Sequence, residues 1–196
     1  QGFLGLFQTQ DSTFRYFKPN PKDSLKYGHS VTGVLQLDNK SLLVAAGNYL
    51  SVFNLKNKSY SSHRPHSSED TTAQTLYFRD VIRDRNGVFW TIGKGLGKID
   101  SDLNIIGAYF KDDGLGNKSL SHNSTMSARE DKEGNIWVAT YGGGLNKLEP
   151  ENEIIQVYTS NDGLANNFTY CALVDSNENI WLSTNTGISK FDQKQK

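Results

Sequence analysis

A single cysteine, Cys171, stands in the 196 residues, which excludes an internal disulfide and any cysteine-based metal cluster. Neither charge sign is in excess: Lys and Arg number 21, Asp and Glu 21, so nothing electrostatic favours nucleic acid or an anionic membrane surface. No apolar run approaches the roughly 20 residues needed to span a bilayer. No charged-then-apolar segment opens the chain; Gln1-Gly2-Phe3-Leu4-Gly5-Leu6 reads instead as a strand entered midway, as if cut from something longer. Helical periodicity is missing throughout, and there is no Gly-x-Ser-x-Gly, phosphate loop or His-Glu-x-x-His. These absences leave an all-β chain, long enough for a real core, with no motif of catalysis.

What is present is one hairpin, repeated. Asp131-Lys132-Glu133-Gly134-Asn135 has the composition of a tight turn, and Ile136-Trp137-Val138-Ala139-Thr140 that of a strand. Tyr141-Gly142-Gly143-Gly144 turns the chain and Leu145-Asn146-Lys147-Leu148 returns it. Asp84 to Asp100 and Asp175 to Asp192 repeat the unit, with Trp spacings of 137 − 90 = 47 and 181 − 137 = 44. An eroded copy runs from Asp38 to Phe53, its turn one residue shorter, with Leu43 where the others carry Trp. A period in the forties built from strand signals alone indicates propeller blades. The fold class expected is therefore all-β, a β-propeller segment of about four blade repeats belonging to a larger propeller.

Naming the hairpin strands B and C, strand A precedes each turn (Val34–Leu37, Arg79–Arg83, Met126–Glu130, Tyr170–Val174) and strand D follows (Phe14–Phe17, Ile154–Tyr158). This divides the chain into strands C and D of an incomplete blade at 1–17, blades at 31–63, 77–110 and 124–158, and an incomplete blade at 168–192. In an antiparallel blade the D-to-A connectors and B-to-C turns share one face, here called upper. That face carries Tyr27, His29, Lys94, Asn123, Tyr141, Asn167 and Asn185. The lower face carries the Asp-rich turns, whose composition the fold itself explains.

Repetition assigns Trp90, Trp137 and Trp181, with Leu43 in the eroded copy, to packing between blades rather than to sugar stacking. Since Leu43 offers less area than Trp, and the 61–76 connector is long and polar, local stability is expected to be lowest around residues 38–76. His63 and His66 with Glu69 and Asp70 have metal-like spacing, but nothing fixes a loop so polar, and no metal or cofactor is called for. Arg79, Asp80, Arg83 and Asp84, and Arg129, Glu130 and Asp131, lie along strands A nearest the channel and are expected to pair across neighbouring blades. Cys171 reads as a small buried residue. Lys94, Asn123, Tyr141, Asn167 and Asn185 combine amides, one aromatic ring and one cation, groups that suit a sugar, and form the candidate ligand site.

Met126 to Thr140, Gly143-Gly144-Leu145 and Asp162-Gly163-Leu164 resemble the two-component regulator propeller repeat, with Ala139 or Ser183 where that repeat has Gly. The resemblance implies a periplasmic sensor segment of a hybrid two-component regulator, non-enzymatic and responding to an oligosaccharide. The partners implied are the remaining blades and an immunoglobulin-like domain of the parent sensor. Self-association of open blades is also expected, with no nucleic acid and no membrane contact in this segment. Two other roles stay open: purely structural blades that close a ring or hold a dimer, and a fragment of a propeller lyase or glycosidase.

Overall fold

The computed structural model describes residues 4–8, 10, 12–17, 31–65, 77–111 and 118–192. Strands β1 (Leu4–Gln8) and β2 (Thr13–Phe17) form a hairpin. A four-stranded meander follows, β3 (Gly33–Gln36), β4 (Ser41–Ala46), β5 (Tyr49–Asn54) and β6 (Tyr60–His63). The next comprises β7 (Phe78–Arg83), β8 (Phe89–Gly93), β9 (Gly95–Ile99) and β10 (Ile105–Tyr109). The third is β11 (Thr125–Glu130), β12 (Ile136–Thr140), β13 (Gly144–Glu149) and β14 (Ile154–Tyr158). A three-stranded sheet ends the described chain, β15 (Thr169–Val174), β16 (Ile180–Thr184) and β17 (Gly187–Phe191). All pairings are antiparallel, as short connections between sequential strands require.

The sheets are blades stacked face to face in chain order, because each apolar cluster lies between two consecutive ones. Leu4 and Phe17 pack on Val44 and Phe53; Leu43 and Leu50 meet Val81 and Phe89; Trp90 and Leu96 meet Ala128 and Ile136; Trp137 and Leu145 meet Ala172, Ile180 and Leu182. Strands β8 and β12 are buried along their whole length, flanked on both faces and both edges. The first strands, β3, β7, β11 and β15, contact one another and form the inner wall. Each begins one residue earlier than expected or, for β3, both begins and ends one residue earlier.

The Asp-rich turns form a repeated device. Asp131 accepts the N–H groups of Glu133 and Asn135 at 3.0 and 2.9 Å through Oδ1, and the indole N–H of Trp137 at 2.7 Å through Oδ2. Asp84 holds Trp90 in the same way, at 2.8 Å, and Asp175 holds Trp181 at 2.8 Å. A face of each ring is covered by a cross-strand Lys: Lys98, Lys147 and Lys190 lie 5.7, 5.6 and 5.8 Å from the respective ring centres. At the other end of the hairpin Gly144 has φ +77°, and a Cβ there would stand 2.2 Å from the Tyr158 carbonyl oxygen, so only glycine fits. The Asp-Gly-Leu element is likewise a capped turn. The Asp162 carboxylate accepts the Thr159 N–H at 2.8 Å, and Gly163 adopts the left-handed conformation.

Two expectations are corrected. Cys171 is exposed, because its side of β15 faces away from the other blades. Ser127, the same position one repeat earlier, instead accepts the Ala172 N–H of the next blade at 2.7 Å. Trp181 is 37 % exposed where Trp90 and Trp137 are fully buried, since no described element covers it, while Leu43 fills its place completely despite its size. Among the described residues β2 pairs only with β1 and β17 only with β16.

Candidate functional site

The upper rim is set by backbone contacts between successive blades. Residues directly after strand B, namely Gly47, Lys94 and Tyr141, bridge Phe78, Ser124 and Phe168 at the start of the next blade. Asn185 occupies the same place in the last blade and donates its N–H to the Phe168 carbonyl at 3.2 Å. Their main chains are thus committed to the fold and their side chains are free to differ.

Two threonines lock the rim. Thr125 Oγ1 accepts the Gly93 N–H at 2.7 Å and donates to the Gly95 carbonyl at 2.7 Å. Thr169 accepts from the Thr140 N–H at 2.8 Å and donates to the Gly144 carbonyl at 3.1 Å. Both hydroxyls are buried and bind the B-to-C turn of the preceding blade. Nothing in the sequence marked them, because Thr is also an ordinary strand former.

The five candidate residues separate into two kinds. Asn123 and Asn167 are braces: their side-chain oxygens accept the N–H groups of Lys111 and Ser160 at 2.6 and 2.7 Å, and their carbonyls accept Gly95 and Gly144 N–H at 2.6 and 2.9 Å. Tyr141 and Asn185 meet in a surface cluster completed by two residues the sequence reading missed, Phe168 and Tyr170. Tyr141 lies 4.9 Å edge-on to Phe168 and 6.0 Å from Tyr170, whose hydroxyl bonds to the Asn185 side-chain oxygen. Phe168 was legible only as the first residue of the last blade, and Tyr170 only as part of strand A. Lys94 is exposed one blade away, with Ser124 between it and Tyr141. Tyr27, His29, His66, Glu69 and Asp70 lie outside the described residues.

The lower face is tied by ion pairs that pass from one blade to the next. Arg85 Nε reaches Glu130 at 2.5 Å, its backbone N–H reaches the same carboxylate at 2.9 Å, and its Nη1 and Nη2 donate to the carbonyls of Lys132 and Asp131. Lys132 repeats the gesture towards Glu178, at 3.0 Å. The backbone N–H of Lys132, followed by its ammonium, holds the Glu178 carboxyl below its ordinary range. Pairing across blades therefore runs from turn residues. Of the strand-A charges expected to pair across blades, Glu130 does so, with the turn residue Arg85, whereas Arg79, Arg83 and Arg129 have no carboxylate within ion-pair distance among the described residues.

The family model for the two component regulator propeller matches residues 119–142 and 163–186, the two repeats whose Asp-to-Trp turns and rim glycines are described above. Two of this chain's repeats are thus two-component regulator propeller repeats. Among solved structures, the chain resembles the extracellular domain of a hybrid two component system from B. thetaiotaomicron, with 23 % identity, a TM-score of 0.69, and coverage of 100 % of this chain and 28 % of that one. A second such domain from the same organism gives 20 % identity, a TM-score of 0.71, and coverage of 96 % and 24 %. The chain thus spans about a quarter of the length of these two chains. A virginiamycin B lyase from Staphylococcus aureus is also similar, at 15 % identity and a TM-score of 0.60, covering 98 % of this chain and 60 % of the lyase. At such identities the likeness is one of fold, and the fold hosts both kinds of protein. No curated protein sequence matches the chain significantly.

Proposed function

We propose that this segment is a non-enzymatic, ligand-sensing part of the extracytoplasmic region of a two-component sensor, in the periplasm, and that its upper rim contributes to binding an oligosaccharide. The observation that carries the proposal is the exposed cluster of Tyr141, Phe168, Tyr170 and Asn185 on regulator propeller repeats. Aromatic faces next to amide and hydroxyl groups suit the alternating apolar and polar surfaces of a sugar ring. The resemblance to extracellular domains of hybrid two component systems supports the setting. No helix among the described residues is long and apolar enough to cross a membrane. Partners in this proposal are the remaining blades and an immunoglobulin-like domain of the parent sensor.

A second role, as scaffold alone, is favoured by one specific observation: the side-chain oxygens of Asn123 and Asn167 are engaged in bracing the fold. Titration of the full sensor region with neutral oligosaccharides separates the two. Tyr141→Ala is expected to weaken binding at least tenfold, as loss of a stacking ring does, and Lys94→Ala less. Affinity unchanged in both variants leaves these blades as scaffold.

A further inference from the structure

We propose that the groove on the inner wall, away from the upper rim, is a binding site for a small oxyanion, a molecule bearing a carboxylate or a sulfate group. The groove encloses about 440 Å³ and is lined by Val34, Asp80, Ile82, Arg83, Arg129 and Glu130 from strands β3, β7 and β11. Counting Arg85, which holds Glu130, three guanidinium groups stand against two carboxylates. Glu130 is occupied by Arg85 through two bonds, and Asp80 Oδ1 accepts the Val81 N–H at 2.9 Å. Against these stand two guanidinium groups with no carboxylate partner among the described residues.

Both guanidinium groups are held in place. Arg129 donates from Nη1 to the Ala128 carbonyl at 2.6 Å, which leaves the rest of its donor fork for a ligand. Arg83 lies over the Phe89 ring, 5.7 Å from its centre, and beside Gly87, where a Cβ would stand 3.3 Å from its Nη2. Arg85 shows what the same fold does with an arginine it uses structurally: all its bonds go to the neighbouring blade. An arginine keeps its charge at any ordinary pH and presents a fork that fits carboxylate and sulfate oxygens in pairs. Val34 and Ile82 supply the apolar ground for the body that carries the charge.

The test uses the full 196-residue chain, ¹⁵N-labelled, titrated at low salt with sulfate, citrate and D-glucuronate, and with D-glucose as the uncharged control. Saturable shifts are expected at the amides of β7 and β11 with at least one anion and not with glucose. Arg129→Gln and Arg83→Gln are each expected to weaken that binding about tenfold, the usual worth of a charged hydrogen bond. Asp80→Asn should tighten it, and Lys56→Gln in the exposed turn between β5 and β6 should leave it unchanged. Circular dichroism of each variant guards against unfolding. Absence of saturable shifts with all three anions, equal shifts with glucose, or affinity indifferent to both arginine variants overturns the proposal. Because the upper rim and its sugars are probed separately, failure here leaves the sensing role untouched.

Discussion

Asp131 is the residue on which a blade turns. It is buried, and it gathers two backbone N–H groups, the Asn135 amide and the Trp137 indole N–H into one carboxylate. Asp131→Ala strands these donors, and each buried donor left without a partner costs about 1–3 kcal/mol. A lowered urea midpoint with an unchanged slope is the expected result, and a midpoint equal to the parent's would show the carboxylate to be dispensable. Trp137→Ala should cost about 3–5 kcal/mol, the range for removing a buried ring, while Trp181→Ala costs distinctly less because its ring is partly in solvent. Carboxylates of three less buried turns give the pH dependence. The Trp181 indole N–H, then the Asn179 amide, hold the Asp175 carboxyl far below its ordinary range. The Lys40 N–H and Ser41 hydroxyl act similarly on Asp38, as the Asn104 N–H does on Asp100. Since the folded values lie below the unfolded value of about 3.9, the stability these groups bring is complete above it and drains away as pH falls further. Thermal melts from pH 6 down to 2 should therefore show an acid limb beginning near pH 4, flattened by Asp175→Asn and Asp100→Asn together. An acid limb unchanged in that double variant would assign the loss elsewhere.

Among the elements, β12 is flanked on both faces and both edges, whereas β17 has a free outer edge among the described residues and an exposed Ile188. Amide exchange should be slowest in β12, intermediate in β4 and β5, and fastest in β17. Protection of β17 equal to that of β12 would contradict this order. The eroded repeat is thus not the weakest element on packing grounds, because Leu43, Leu50 and Phe53 close its core without a Trp. The strands, the short turn at Asp38 and the burial of Trp90 and Trp137 were legible because each rests on local pattern: turn composition, alternation and a fixed period. What could not be read joins residues some 30 to 45 positions apart. Arg85 with Glu130, Lys132 with Glu178 and Thr125 with Gly93 leave no mark on local composition. Of the candidate site, the rim position of Tyr141 and Asn185 was readable from the B-to-C turn. Its neighbours Phe168 and Tyr170 became visible only once the next blade was placed against it.

At the scale of the whole molecule, the last blade presents a face that its predecessors bury. Ile188 is 73 % exposed where Leu145, at the same position, is 1 % exposed, and Leu173 and Trp181 share that open side. Such a face favours association, so sedimentation should show a species that grows with concentration, reduced by Ile188→Asp with Leu173→Asp. A compact monomer at high concentration would sink the expectation of self-association. The threonine locks carry a different consequence, in the timing of synthesis. Gly93 and Gly95 await the hydroxyl of Thr125, about 30 residues further on, and Thr140 and Gly144 await that of Thr169. At ribosomal speeds of about 5–20 residues per second, a nascent blade stands for roughly 2–6 s with these rim groups open. In N-to-C synthesis the rims of these two blades would therefore be completed only by the strand made after them.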